Sequence, residues 1–108
     1  MKTSFRDRHE RLKYLKACET ARRIVCDPGL IEQARRFVEE AMAPDPHQRA
    51  YTLMWRELLG LPAEAIATAL LEDSDRGQLL RDTSPVFGKG FTSREVVALL
   101  DRDRAAAS

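Results

Sequence analysis

Apolar residues recur along most of this chain at intervals of three and four, the spacing that gathers one face of an α-helix. In the first segment Leu12, Leu15, Cys18, Ala21 and Val25 keep that spacing, with Phe5 and Ile24 near the same stripe, and predict a helix from about residue 4 to 25. Asp27-Pro28 then reads as a cap and first helical residue, since Asp accepts free backbone N–H groups and Pro has none to leave unpaired. The helix behind it is the clearest amphipathic one, with Leu30, Ile31, Ala34, Phe37, Val38, Ala41 and Met42 on one side and Glu32, Arg35, Arg36, Glu39 and Glu40 on the other. Asp45-Pro46 repeats the start signal. The third helix carries Ala50, Tyr51, Met54, Trp55, Leu58 and Leu59, with Trp55 expected at the centre of the core and Gly60 expected to close the helix in a left-handed conformation.

Pro62 opens a fourth helix, Ala63 to about Leu71, with a light apolar content of Ile66, Leu70 and alanines that permit close packing. Glu72, Asp73, Ser74 and Asp75 break the pattern and cap a short helix through Arg81, with Leu79 and Leu80 expected inward and Gly77 costing about 1 kcal/mol relative to Ala. Thr83 to Phe91, with one proline, two glycines and three large apolar residues, is predicted to be an ordered loop. Thr92 and Glu95 form a capping box. The last helix, Ser93 to about Arg102, is expected to bury Val96, Val97, Leu99 and Leu100. The fold class is therefore all-α: a compact bundle of five to six short helices with an ordered loop before the last one. Residues 1–108 read as a single helical domain, divided into a basic amino-terminal helix (1–26), a helical core (27–102) and a frayed tail (103–108).

Composition supports a folded chain, because 44% hydrophobic residues with 32% charged give apolar area to offset chain entropy. No run approaches the ~20 apolar residues of a membrane span, and no signal-peptide pattern follows Met1, so a cytoplasmic location is expected. The net charge of +1 conceals an uneven distribution, since residues 1–26 carry eight basic groups against three acidic ones and residues 27–108 carry ten against fourteen. The first helix thus reads as a cationic arm on an acidic body, with Arg6, Arg8, Arg11, Lys13, Lys16, Arg22 and Arg23 as a candidate basic surface. Cys18 and Cys26 lie about 12 Å apart along one helix, which excludes a disulfide between them and predicts two buried thiols.

Catalytic and metal chemistry find little to work with. His9, His47, Cys18 and Cys26 stand at no metal-ligand spacing, so neither metal nor cofactor is expected. Gly88-Lys89-Gly90 fails as a phosphate loop because Thr83 and Gly90 stand where a glycine and a Ser or Thr are required. Glu72, Asp73 and Asp75 are better used at a helix start than as a cation site. A helix-turn-helix over Pro62–Leu71 and Arg76–Arg81 would lead with Asp73 and Asp75, which phosphates repel. Charge tracking along the basic first helix is the other nucleic-acid route, although Asp7, Glu10 and Glu19 interrupt it. Partner binding meets fewer obstacles, and Pro85, Val86, Phe87 and Phe91 have the composition of an interface anchor, the alternative being that Val86, Phe87 and Phe91 plug the chain's own core.

From Trp55 onward, the run Leu58-Leu59-Gly60-Leu61-Pro62, then Leu70, Leu71, Glu72, Asp73, Ser74, Gly77, Leu80 and Arg81, then Thr83, Ser84, Pro85 and Phe87, resembles a class of short bacterial proteins. These are similar to antitoxin-type partners, some encoded beside nucleotidyltransferase-like toxins. The likeness covers about half the chain, excludes the basic first helix and carries over no catalytic residue. It implies a protein that binds and restrains a neighbour-encoded partner, such as a cognate toxin. The expectation is a non-enzymatic, partner-binding protein, with self-association open and a small nucleic-acid-binding regulator as the alternative.

Overall fold

The computed structural model describes residues 2–107. Among them are six α-helices and no strand: α1 (Arg8–Cys26), α2 (Gly29–Phe37), α3 (Arg49–Leu58), α4 (Ala63–Leu70), α5 (Asp75–Asp82) and α6 (Ser93–Ala106). This is the all-α bundle that the periodicity predicts.

Side-chain acceptors fix several of the helix starts, because the first turn of any helix leaves backbone N–H groups without internal partners. Asp7 is extended and accepts from the Glu10 N–H at 2.8 Å, so α1 begins at Arg8 rather than near residue 4. Phe5 consequently precedes the helix and packs edge-on against Tyr14, with ring centroids 5.6 Å apart. Asp27 Oδ1 accepts from the Gly29 N–H at 3.2 Å, Asp45 Oδ1 from the His47 N–H at 2.9 Å, and Ser74 Oγ from the Gly77 N–H at 3.0 Å. The capping box of Thr92 and Glu95 is formed in both directions. The Asp45 contact sets a short 3-10 turn, Pro46–Gln48, ahead of α3.

The buried face of α1 is rotated from the expected stripe. Tyr14, Ala17, Ala21 and Ile24 are buried, whereas Leu12, Leu15 and Cys18 are only partly covered and Val25 is exposed. The reason lies in the neighbour: α1 packs principally on α4, whose alanines let another small-residue face come close. The first helix is therefore a packed member of the bundle and not an arm attached to it. Helix α4, light in apolar residues, is equally central, with Ala63, Ile66 and Leu70 buried.

The core joins Ile24, Ile31, Ala34, Val38, Met42, Trp55, Leu58, Leu59, Ile66, Leu70, Leu80 and Phe87, with Trp55 fully enclosed. After Phe37 the chain widens into one π-turn, Val38–Met42, closed by the Ala43 N–H on the Val38 carbonyl at 2.8 Å. Val38 and Met42 stay inward through this turn, while Ala41 is exposed. Ala50 and Tyr51 of α3 are exposed too, and the inward place beside Trp55 goes to Thr52. Helix α3 ends without the expected left-handed glycine, since Gly88 is the only described residue of positive φ. Gly60 instead donates to the Glu57 carbonyl in a tight final turn, and Arg35 reaches the Leu59 carbonyl from α2 with Nη2 at 2.6 Å.

Three other expectations need correction. Leu79 is exposed and only Leu80 of the pair is buried, because the inward face of α5 is the one that carries Gly77, Leu80 and Arg81. In α6 only Leu99 is buried and Val97 is 55% exposed, since the helix packs chiefly on the single helix α1. The tail from residue 103 is not frayed at its start, for α6 continues to Ala106 and Asp103 pairs with Arg11 at 2.6 Å.

Candidate functional site

Residues 83–92 form a long connection without a helical turn, running from the end of α5 to the cap of α6. Its course is set by Gly88, whose φ of 82° suits glycine and whose added Cβ would lie 2.8 Å from Leu30 Cδ2. The loop is thus pressed onto α2 at Gly88, while Phe87 enters the core and meets Trp55 edge-to-face at a centroid distance of 6.1 Å. Pro85 is buried, Phe91 partly buried, and Val86 43% exposed. Core and surface alternate along the loop from Ser84 to Phe87.

Between this loop and α1 lies a cleft of about 230 Å³. Its apolar lining comes from Ala17 of α1, Leu70 of α4, and Pro85, Val86, Phe87 and Phe91 of the loop. The charged lining is uniformly cationic: Lys13, Lys16 and Arg23 from α1, Arg81 from α5 and Lys89 from the loop. No carboxylate lines it among the described residues.

These cations are not equally free. Lys13 pairs with Asp82 at 2.8 Å, and Arg23 is held by Glu19 and by Glu95 at the start of α6. Arg23 also lies over the Phe91 ring, 4.8 Å from its centroid, with Lys16 at 6.0 Å on the same ring. Lys16 and Lys89 make no ion pair with a carboxylate among the described residues.

Arg81 is the unusual member, with only 7% of its surface exposed. Its Nη1 donates to the Leu70 and Glu72 carbonyls, both at 2.9 Å, and the guanidinium lies over the Tyr14 ring at 5.0 Å. Tyr14 itself donates to the Leu71 carbonyl at 3.0 Å. Three carbonyls at the end of α4 are therefore satisfied from α1 and α5, and a cation there is favoured by the helix dipole. Arg81 Nη2 has no hydrogen-bond partner among the described residues.

The structure thus unites Lys13, Lys16 and Arg23 with Pro85, Val86, Phe87 and Phe91, two sets that the sequence presents as separate surfaces. It leaves the other basic candidates outside. Arg6 lies beside Asp7 at 3.8 Å, Arg11 pairs with Asp103, Arg22 with Glu19 at 2.5 Å, and Arg8 is exposed ahead of the cleft. The acidic partners are held ionised: the Arg22 guanidinium, with Arg23, brings the Glu19 carboxyl from 4.5 to about 2 against the opposing effect of burial. Arg81 and Lys89 escape sequence reasoning, since nothing in the order of residues announces that α4 ends beside Arg81.

The thiols also differ from expectation. Cys18 is half-buried, and burial raises its thiol above the ordinary range, whereas Cys26 is exposed at the end of α1. Both are free. Among the described residues no three of His, Cys, Asp and Glu gather where they could hold a metal ion, and no helix is long and apolar enough to cross a membrane. Comparisons with protein families, with curated proteins and with solved structures return no match to this chain, so the cleft stands on its own geometry.

Proposed function

We propose that this chain is a non-enzymatic protein-binding module that seats a segment of a partner protein in the cleft between α1 and the loop of residues 83–92. The observation that carries the reading is the meeting of cationic α1 residues and exposed loop residues around one apolar recess. An interface anchor needs such a recess, with a rim that excludes water around it. Val86 and Phe91 are the loop residues available to a partner, since Phe87 is committed to the core. In its specific form the proposal is an antitoxin-type protein that restrains a cognate toxin encoded by the neighbouring gene.

The nucleic-acid alternative has less behind it. Arg11, Lys13, Arg22 and Arg23 each face a carboxylate, which lowers the charge that a phosphate backbone would meet. Co-expression with the product of the adjacent gene tests the proposal. A stable complex that relieves the neighbour's toxicity is expected, with Val86→Asp releasing the partner while the helical circular dichroism stays unchanged. A complex indifferent to Val86→Asp, or salt-sensitive DNA binding with no protein complex, would overturn it.

A further inference from the structure

We infer that the cleft is built for an acidic peptide segment carrying one bulky apolar side chain, which enters the recess while its neighbouring carboxylates meet Lys16, Lys89 and Arg81. This rests on the reading of the cleft as a protein-binding site and adds the chemistry of the bound segment.

Size comes first. Pockets that enclose a cofactor or drug-sized molecule run to roughly 300–1,000 Å³, whereas this cleft offers about 230 Å³. An apolar cavity of ~150 Å³ already holds a benzene ring. The recess therefore suits a single aromatic or branched aliphatic side chain with little room beyond it. Pro85, Phe87 and Leu70 supply apolar contact for such a group.

Charge comes second. Five cations and no carboxylate line the cleft among the described residues, and Lys13 and Arg23 already face acids of this chain. Lys16, Lys89 and Arg81 make no close ion pair with a carboxylate among the described residues. The Arg81 guanidinium adds a positive charge to the wall of the cleft: it lines the cleft and is almost wholly buried, and Nη2 has no acceptor among the described residues. A cation in so dry a wall attracts an anion in the cleft more strongly than one in open water does. Basic segments are repelled by the same array, and a neutral apolar segment leaves the cations unanswered.

A phage-displayed library of random linear peptides, panned on the full chain and counter-selected on Lys16→Glu/Lys89→Glu, tests the inference. Enriched peptides are expected to hold one Phe, Trp, Leu or Ile flanked by Asp or Glu. Synthetic copies are expected to lose about tenfold or more in affinity to the Lys16→Glu/Lys89→Glu chain and to weaken as salt rises. Arg49→Glu/Arg76→Glu makes the same change in charge away from the cleft and is expected to leave affinity intact. Trp55 fluorescence verifies that each variant is folded. Enriched peptides that occupy the cleft but lack carboxylates, or acidic ones indifferent to Lys16→Glu/Lys89→Glu, would overturn this chemistry and leave the docking reading standing. Failure to select any peptide that Val86→Asp displaces would overturn both.

Discussion

Gly77 sits inside α5 where an added Cβ would lie 2.0 Å from the Glu72 carbonyl oxygen and 3.0 Å from Arg81 Nη1. Its cost to the helix is therefore outweighed by what the site demands: the chain leaving α4 passes so close that no side chain fits. Gly77→Ala should destabilise the protein by about 1–3 kcal/mol in urea unfolding despite the better helix propensity of alanine. A gain in stability would mean that the Glu72 segment can move aside. Trp55 makes the complementary point about polar atoms in cores. Its Nε1 donates to Thr83 Oγ1 at 3.0 Å, and Thr83 in turn donates to the Leu79 carbonyl at 2.8 Å. Thr83→Val keeps the shape but strands the indole N–H, at a cost of about 1–3 kcal/mol in urea, with Trp55 fluorescence as a local readout.

Helix α6 depends on few attachments. Leu99 is its one buried residue among those described, and its ties to α1 include the ion pairs of Arg23 with Glu95 and Arg11 with Asp103. Partly exposed ion pairs contribute little each, yet an element with so small a buried face has little else to hold it. Glu95→Gln/Asp103→Asn should therefore raise amide hydrogen exchange throughout α6 while the α1–α4 core keeps its protection. Equal loss of protection in α1 and α4 would show that α6 is integral to the cooperative unit. Helix positions were legible in the sequence because caps are local: Asp27, Asp45, Ser74 and Thr92 each act within three residues of themselves. The buried face was less legible, because it depends on what lies opposite. Ala17 and Ala21 rank low as apolar residues but face the alanine-rich α4, whereas the larger Leu12 and Leu15 sit at the edge of the contact. The cleft was legible in halves. Lys16 and Phe91 each stood out by composition, but seventy-odd residues separate them, and only tertiary packing brings Lys16 to 6.0 Å from the Phe91 ring.

Across the whole molecule, cations of α1 reach carboxylates on later helices: Lys13 to Asp82 on α5, and Arg11 and Arg23 to Asp103 and Glu95 on α6. The uneven charge along the sequence thus becomes internal pairing in the fold, and this predicts how stability responds to acid. The Arg22 guanidinium first, and Arg23 after it, hold Glu19 down at about 2, and hydrogen bonds from Lys13, Arg23 and Arg11 lower Asp82, Glu95 and Asp103 respectively. A carboxyl whose folded pKa lies below its unfolded one binds more protons in the unfolded chain. Its stabilisation is therefore fully present above the ordinary carboxylate range and is lost as pH falls through the folded value. For Glu19 that window runs from 4.5 down to about 2. The thermal midpoint should stay level above about pH 5 and fall steadily through this window. Glu19→Gln should remove part of the fall, and the remainder should shrink at high salt, which screens the exposed pairs of Lys13 and Arg11. A midpoint unchanged from neutral pH to about 2 would mean that these pairs contribute nothing to stability.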